Sequence, residues 1–272
     1  MGIVNKLLKD TPMSNDLEIP KEGKYIYGII RNSAPIDYGP IGMGKRADRV
    51  YGVTYNGITA IVSASPIIVY EARRINMITH EKVLEEMMKQ FTVLPVRFST
   101  ISEHDDDTGI MRIIEKDYRK FDEMLAKMEG KKELGLKVLA KETEIYDSII
   151  EKYDDIKVLR GKLMNMPADK THYQRVKIGE MVAEALRKET EYFKDTIIAA
   201  LNPLSEDVKI NDNYSEMMIL NAAFLIKNES EPAFDKVVND LSEQYGRFMI
   251  FKYTGTLPLY NFVNLIINTK GV

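Results

Sequence analysis

The chain has 272 residues, room for one large domain or two of ordinary size, with 44% apolar and 29% charged residues and a formal charge of −3. That balance belongs to a globular protein; no segment approaches the roughly 18 uninterrupted apolar residues of a membrane span, and the mild negative charge argues against nucleic acid as the main partner. The absence of cysteine excludes thiol nucleophiles, iron–sulfur clusters and cysteine-ligated zinc, and fits a reducing, cytoplasmic compartment.

Residues 1–22 are a polar mixture without the apolar core or small-residue cleavage site of a secretory signal, and read as a loosely held arm. Lys24 to Ile30 reads as a first strand, and Arg49–Tyr55 with Ile58–Ala64 as a hairpin turning at Asn56-Gly57. Between them lies GPIGMGKR, residues 39–46, which opens like a phosphate-cradling loop. Arg46 stands where a magnesium-binding Ser or Thr is required, and a hairpin follows where a helix should begin. The plainer reading is a glycine-rich connection between strands, with a nucleotide-dependent enzyme using Lys45 and Arg46 as the alternative.

A helix is expected from Thr79, with Val83, Leu84, Met87, Met88 and Phe91 at helical spacing. TVLPVRFST follows as a strand whose Pro95 suits an edge or bulge. The acidic run Glu103–Asp107 lacks the spacing of a calcium loop and suits the start of a helix that ends at Gly130. The second half reads as a strand LGLKVLA, helices over Glu142–Asp155 and His172–Leu201 with Gly161 and Pro167 marking a break, strands DVKI and SEMMILNAAFLIK, a helix with Pro232 in its first turn, and a last strand RFMIFKYTG. The fold class expected is α+β: two domains, each an antiparallel-type sheet with helices on one face, over residues 23–130 and 131–255, followed by a tail, 256–272.

His80, His104 and His172 lie far apart and in no ligand spacing, so each is expected at the surface near a helix end. No nucleophile elbow or dinucleotide fingerprint appears, so the chain does not read as an enzyme and no cofactor or metal is assigned. Arg97, a lone guanidinium among apolar neighbours, needs either a structural ion pair or a partner on an exposed face. The tail carries Leu257, Leu259, Tyr260, Phe262, Val263, Leu265, Ile266 and Ile267, so it either folds back over the sheet or offers an apolar surface to another protein.

YIYGII, ITAIVSASP, THEKVLEEMMKQFTVLPVRFST, KKELGLKVLA, VLRGKLMNM, NAAFLIK and YTGTLPLYNFV together resemble the gas vesicle accessory proteins of the F and L type, in that family's order, over about residues 24–263. The departures suit a divergent, archaeal member: Thr256-Leu257 and Leu259 in a closing motif that usually reads like TGPWPPYNF, Ser99 where glycine is common, and Lys162-Leu163-Met164 in place of an Ala-Tyr-Leu run. The resemblance implies a ferredoxin-like first domain, a modified ferredoxin-like second domain and a tail that packs back. It also implies a non-enzymatic role in gas vesicle assembly, as a monomer that associates with the very apolar shell protein and with other accessory proteins. The residues expected to touch the partner are Arg97, Leu259, Tyr260 and Phe262. A small-ligand-binding regulatory module is a further alternative by analogy of fold.

Overall fold

The computed structural model describes residues 21–44, 46–164, 166–167 and 170–269; the expected N-terminal arm lies almost wholly outside them, as does Lys45. The first domain consists of β1 (Glu22–Arg31), β2 (Asp37–Gly39), β3 (Val50–Tyr55), β4 (Ile58–Pro66), α1 (Arg74–Met88), β5 (Val93–Pro95), β6 (Ile101–Ser102), α2 (Asp107–Lys116) and α3 (Tyr118–Met128). Its sheet runs β2-β3-β4-β1-β5 with antiparallel neighbours, and β6 also pairs with β1. The β3–β4 hairpin turns through Asn56 at φ 50° and Gly57 at φ 83°, both in the left-handed region that a two-residue turn of this hand needs. Pro95 lies on β5, an edge strand, where its missing N–H leaves no gap in the ladder.

The central strand, β1, is buried on both faces. An irregularity between Ile26 and Gly28 shifts its register against β4. Because of that shift, Ile26 and Ile29 share the core under α2 and α3, while Tyr25, Tyr27 and Ile30 face α1 on the other side. The α+β class with two antiparallel sheets is as expected, with one addition: this first sheet has helices on both faces. A Cβ at Gly28 would sit 2.9 Å from Met87 Cε, so the small residue is what lets α1 pack so closely.

The second domain consists of β7 (Lys131–Ala140), α4 (Glu142–Lys152), α5 (Asp154–Met164), α6 (His172–Leu201), β8 (Asp207–Ile210), β9 (Met218–Lys227), α7 (Glu231–Tyr245) and β10 (Met249–Leu257). Its sheet is antiparallel in the order β10-β7-β9-β8. Alternate residues of β7, Leu134, Leu136, Val138 and Ala140, enter one core with Ile197 and Leu201 of α6 and Phe234 and Val238 of α7. The opposite face of β7 carries Glu133.

Four expectations are corrected in detail. α1 begins at Arg74, five residues before Thr79, and the Thr79 hydroxyl donates back to the Ile75 carbonyl rather than capping the helix. The helix expected from the acidic run to Gly130 divides at Asp117, whose φ of −102° and ψ of 15° leave the helical region. Gly161 sits inside α5. His80 is not at the surface: it is 1% exposed.

Candidate functional site

The seam between the two domains is built by the tail. After β10 the chain makes a tight turn, with the N–H groups of Phe262 and Val263 both donating to the Leu259 carbonyl. It then runs extended with alternating burial: Val263, Leu265 and Ile267 point inward while Asn264, Ile266 and Asn268 point out. The inward residues and Leu259 join the core beneath α2 and α3 of the first domain, together with Leu225 from β9 of the second. The tail is therefore a strap that starts on one sheet and completes the core of the other, which is the fold-back reading of its apolar composition.

The strap is anchored by polar contacts at several points. Glu133 is 1% exposed, and its two oxygens accept from the Asn261 backbone N–H at 3.0 Å and from Asn261 Nδ2 at 2.6 Å. No Lys or Arg among the described residues forms a salt bridge with it. Burial pushes its pKa up, and the two Asn261 bonds oppose that rise. Arg97 lies past the end of β5, not within a strand; it is exposed and its Nη2 donates to Asn264 Oδ1 at 3.1 Å. Lys120 of α3 donates to the Ile266 carbonyl at 3.3 Å.

All four residues expected to touch a partner thus converge on this seam, in different states. Leu259 is buried in the protein's own core, and Phe262 is partly buried against it. Arg97 holds the strap from outside. Tyr260 is 45% exposed, yet burial around its hydroxyl, with the carboxylates of Glu81 and Glu133 near, pushes its pKa well above that of a free phenol. Glu81 lies one turn along α1 from Met77 and Ile78, which are exposed, as are Ile75, Ile68 and, at 88%, Val69. Sequence reasoning missed Glu133 and Asn261; the available signal was a lone acid at the start of ELGLKVLA, a stretch with one other charged residue, Lys137.

The other sequence candidates are tied to structural roles. In the 39–46 loop, Gly42 N–H donates to the Asp48 carbonyl and Met43 N–H to the Tyr27 hydroxyl, so these amides face inward, and Met43 is itself buried. Arg46 pairs with Glu22 and Asp48, and the loop leads into β3. Of the acidic run, Asp106 caps α2 through Gly109 N–H, and Asp107 accepts from the Tyr51 hydroxyl at 2.6 Å. His80 Nδ1 lies 3.0 Å from the Tyr25 hydroxyl, which itself accepts from Ser99 N–H, so the tyrosine proton goes to the histidine. Burial lowers the His80 pKa to about 4, against a raising contribution from the Val96 carbonyl. No helix among the described residues is long and apolar enough to cross a membrane.

Two sheets of this topology, joined by a C-terminal strap, define a two-domain α+β protein. The family described as "Gas vesicle synthesis protein GvpL/GvpF" matches residues 23–264, and the chain belongs to that family. It is 29% identical to gas vesicle protein F of Dolichospermum flosaquae over 244 residues, covering 89% of this chain and 97% of that protein. It is 23% identical to gas vesicle protein L1 of Halobacterium salinarum, with 92% and 93% covered. Among solved structures, the crystal structure of GvpF from Anabaena sp. PCC7120 superposes with a TM-score of 0.76 at 26% identity, covering 90% of this chain and 99% of that one. GvpF from Microcystis aeruginosa gives 0.68 at 26% identity, covering 89% and 99%.

Proposed function

We propose that this chain is a non-catalytic assembly factor that works in the cytoplasm, holding the apolar shell protein of the gas vesicle and cooperating with other accessory proteins. One observation carries the reading: Ile68, Val69, Ile75, Met77 and Ile78 are all exposed within eleven residues of a chain that is 29% charged. Clustered large apolar side chains on a soluble surface mark a site for another protein. A shell subunit with an apolar face would aggregate if released free, and this flank offers it cover. Tyr260 extends the flank from the tail side, across Glu81, and Arg97 borders the same strap. The non-catalytic reading is supported by the internal partners of two buried titratable groups, Glu133 with Asn261 and His80 through Nδ1 with Tyr25, and of the half-buried Tyr253 with Asp235.

The test is co-purification with the shell protein of the same organism. Ile75→Glu combined with Ile78→Glu should abolish capture, and Tyr260→Ala should weaken it, with unchanged thermal midpoints in both. Full capture by the double variant would overturn the reading.

A further inference from the structure

The helical layer of the second domain carries a separate feature. α4, α5 and α6 leave an open groove of about 780 Å³ between them, floored by Ile150, Ile156, Ile178, Val182 and Leu186. On its α6 wall Gly179 and Ala183 stand one turn apart and are exposed. A Cβ built on Gly179 meets nothing within 4 Å. Arg160, Arg175 and Arg187 line the groove with one acid, Glu216, and Arg187 is itself paired with Glu184 at 2.7 Å.

We propose that this groove is the docking site for an amphipathic helix of a partner protein, with an apolar face and an acidic flank. The walls are helices whose backbone bonds are already made, so they offer side-chain ridges to a helix and no ladder to a strand. Gly179 and Ala183 remove the bulk that would hold a second backbone away, and the floor supplies apolar area for its inward face. The charge identifies the partner: Arg187 is neutralised by Glu184, but Arg160 and Arg175 form no salt bridge among the described residues and face one lining acid, a local positive excess on a chain whose formal charge is −3. A second copy of this chain fits poorly, because a two-fold pairing through the groove would set the same arginines against each other. The groove lies on α4–α6, so this inference does not depend on the shell-protein reading, which rests on α1 and the tail.

The test uses the full chain and two fluorescein-labelled synthetic 18-residue helices with the same leucine and alanine face, one flanked by glutamates and one by lysines. Anisotropy should show the glutamate helix binding at least tenfold tighter. Gly179→Leu should weaken it tenfold or more while keeping the circular dichroism spectrum and a thermal midpoint at or above the original, since leucine favours a helix over glycine. Arg160→Glu with Arg175→Glu should reverse the preference between the two helices. Equal binding of both helices, binding of neither, or no effect of Gly179→Leu would each overturn the proposal. So would oleate uptake without helix binding, or a dimer of the unliganded protein that Gly179→Leu dissolves.

Discussion

Asn261 holds the buried carboxylate of Glu133 with both of its nitrogens, the backbone N–H at 3.0 Å and Nδ2 at 2.6 Å, and so pins the tail to the second sheet. Among the described residues those are the donors that stabilise an anion this deep, and bonds to charged groups are worth about 1.5–3 kcal/mol each when lost. Asn261→Ala should therefore destabilise the protein by about 2 kcal/mol or more at pH 8. The sign with pH follows from the raised pKa. The folded state prefers the protonated acid, so this group's contribution is fullest below the unfolded carboxylate pKa and is lost as pH rises through the raised folded value. Glu133→Gln should remove that slope, matching wild type near pH 4 and exceeding it at pH 8; urea midpoints across this range would show it, and parallel curves would count against the arrangement.

The sheet order and the strap were legible to different degrees. The hairpin at Asn56-Gly57 and the edge position of Pro95 follow from local chemistry that any sequence displays. The apolar alternation after Phe262 likewise announces a segment that must be covered. The break at Asp117 was hidden because Ile110, Ile113, Ile114, Phe121 and Leu125 keep one helical period across it; the bend serves a common core, which no local pattern encodes. The early start of α1 was hidden for the opposite reason: Ile75, Met77 and Ile78 are exposed apolar residues without a side-chain cap before them. The convergence of Arg97 with the tail spans 167 positions and is a tertiary fact, although both ends stood out separately.

The strap should be structural first. Leu259, Val263, Leu265 and Ile267 sit in the first domain's core, so ending the chain after Gly255 uncovers a face built around Ile26, Val62 and Phe121. Leu265→Ala alone should cost about 2–5 kcal/mol. Arg97→Ala, which removes one exposed hydrogen bond, should cost about 1 kcal/mol or less. Urea denaturation of the two variants tests the contrast, and a larger loss from Arg97→Ala than from Leu265→Ala would reverse the account of the strap.

His80 should make the first domain acid-sensitive. Its pKa of about 4 lies below the ordinary 6.5, so the neutral ring favours the folded state. That contribution is complete above pH 6.5 and declines as pH falls toward 4, by about 3 kcal/mol in all. His80→Phe should lose about 1–2 kcal/mol at pH 7.5, where Tyr25 loses its acceptor, and the gap to wild type should close toward pH 4.5. A gap that widens on acidification would exclude the neutral buried ring.

The 39–46 loop should respond to steric change and not to nucleotide. A Cβ on Gly42 would fall 2.4 Å from the Asp48 carbonyl oxygen, so Gly42→Ala should cost about 2 kcal/mol or more. Arg46→Ala should cost under about 1 kcal/mol, because the exposed guanidinium pairs with an exposed Glu22 and a half-buried Asp48. Magnesium and ATP should leave the thermal midpoint in place, since the Gly42 and Met43 amides already have internal acceptors. A midpoint that rises with ATP concentration would restore the phosphate-loop reading.

Ser99 adopts φ 64°, the left-handed region that costs an L-residue roughly 1–2 kcal/mol. Glycine would adopt that conformation without strain. Serine keeps the position by accepting from Tyr70 N–H at 2.9 Å, while its own N–H donates to the Tyr25 hydroxyl. Ser99→Gly exchanges the side-chain bond for relief of strain and should change stability by less than about 1 kcal/mol. Ser99→Ala keeps the strain and loses the bond, and should cost about 1–2 kcal/mol. Thermal unfolding of the pair separates the contributions: if alanine is tolerated as well as glycine, neither the bond nor the left-handed backbone constrains the residue.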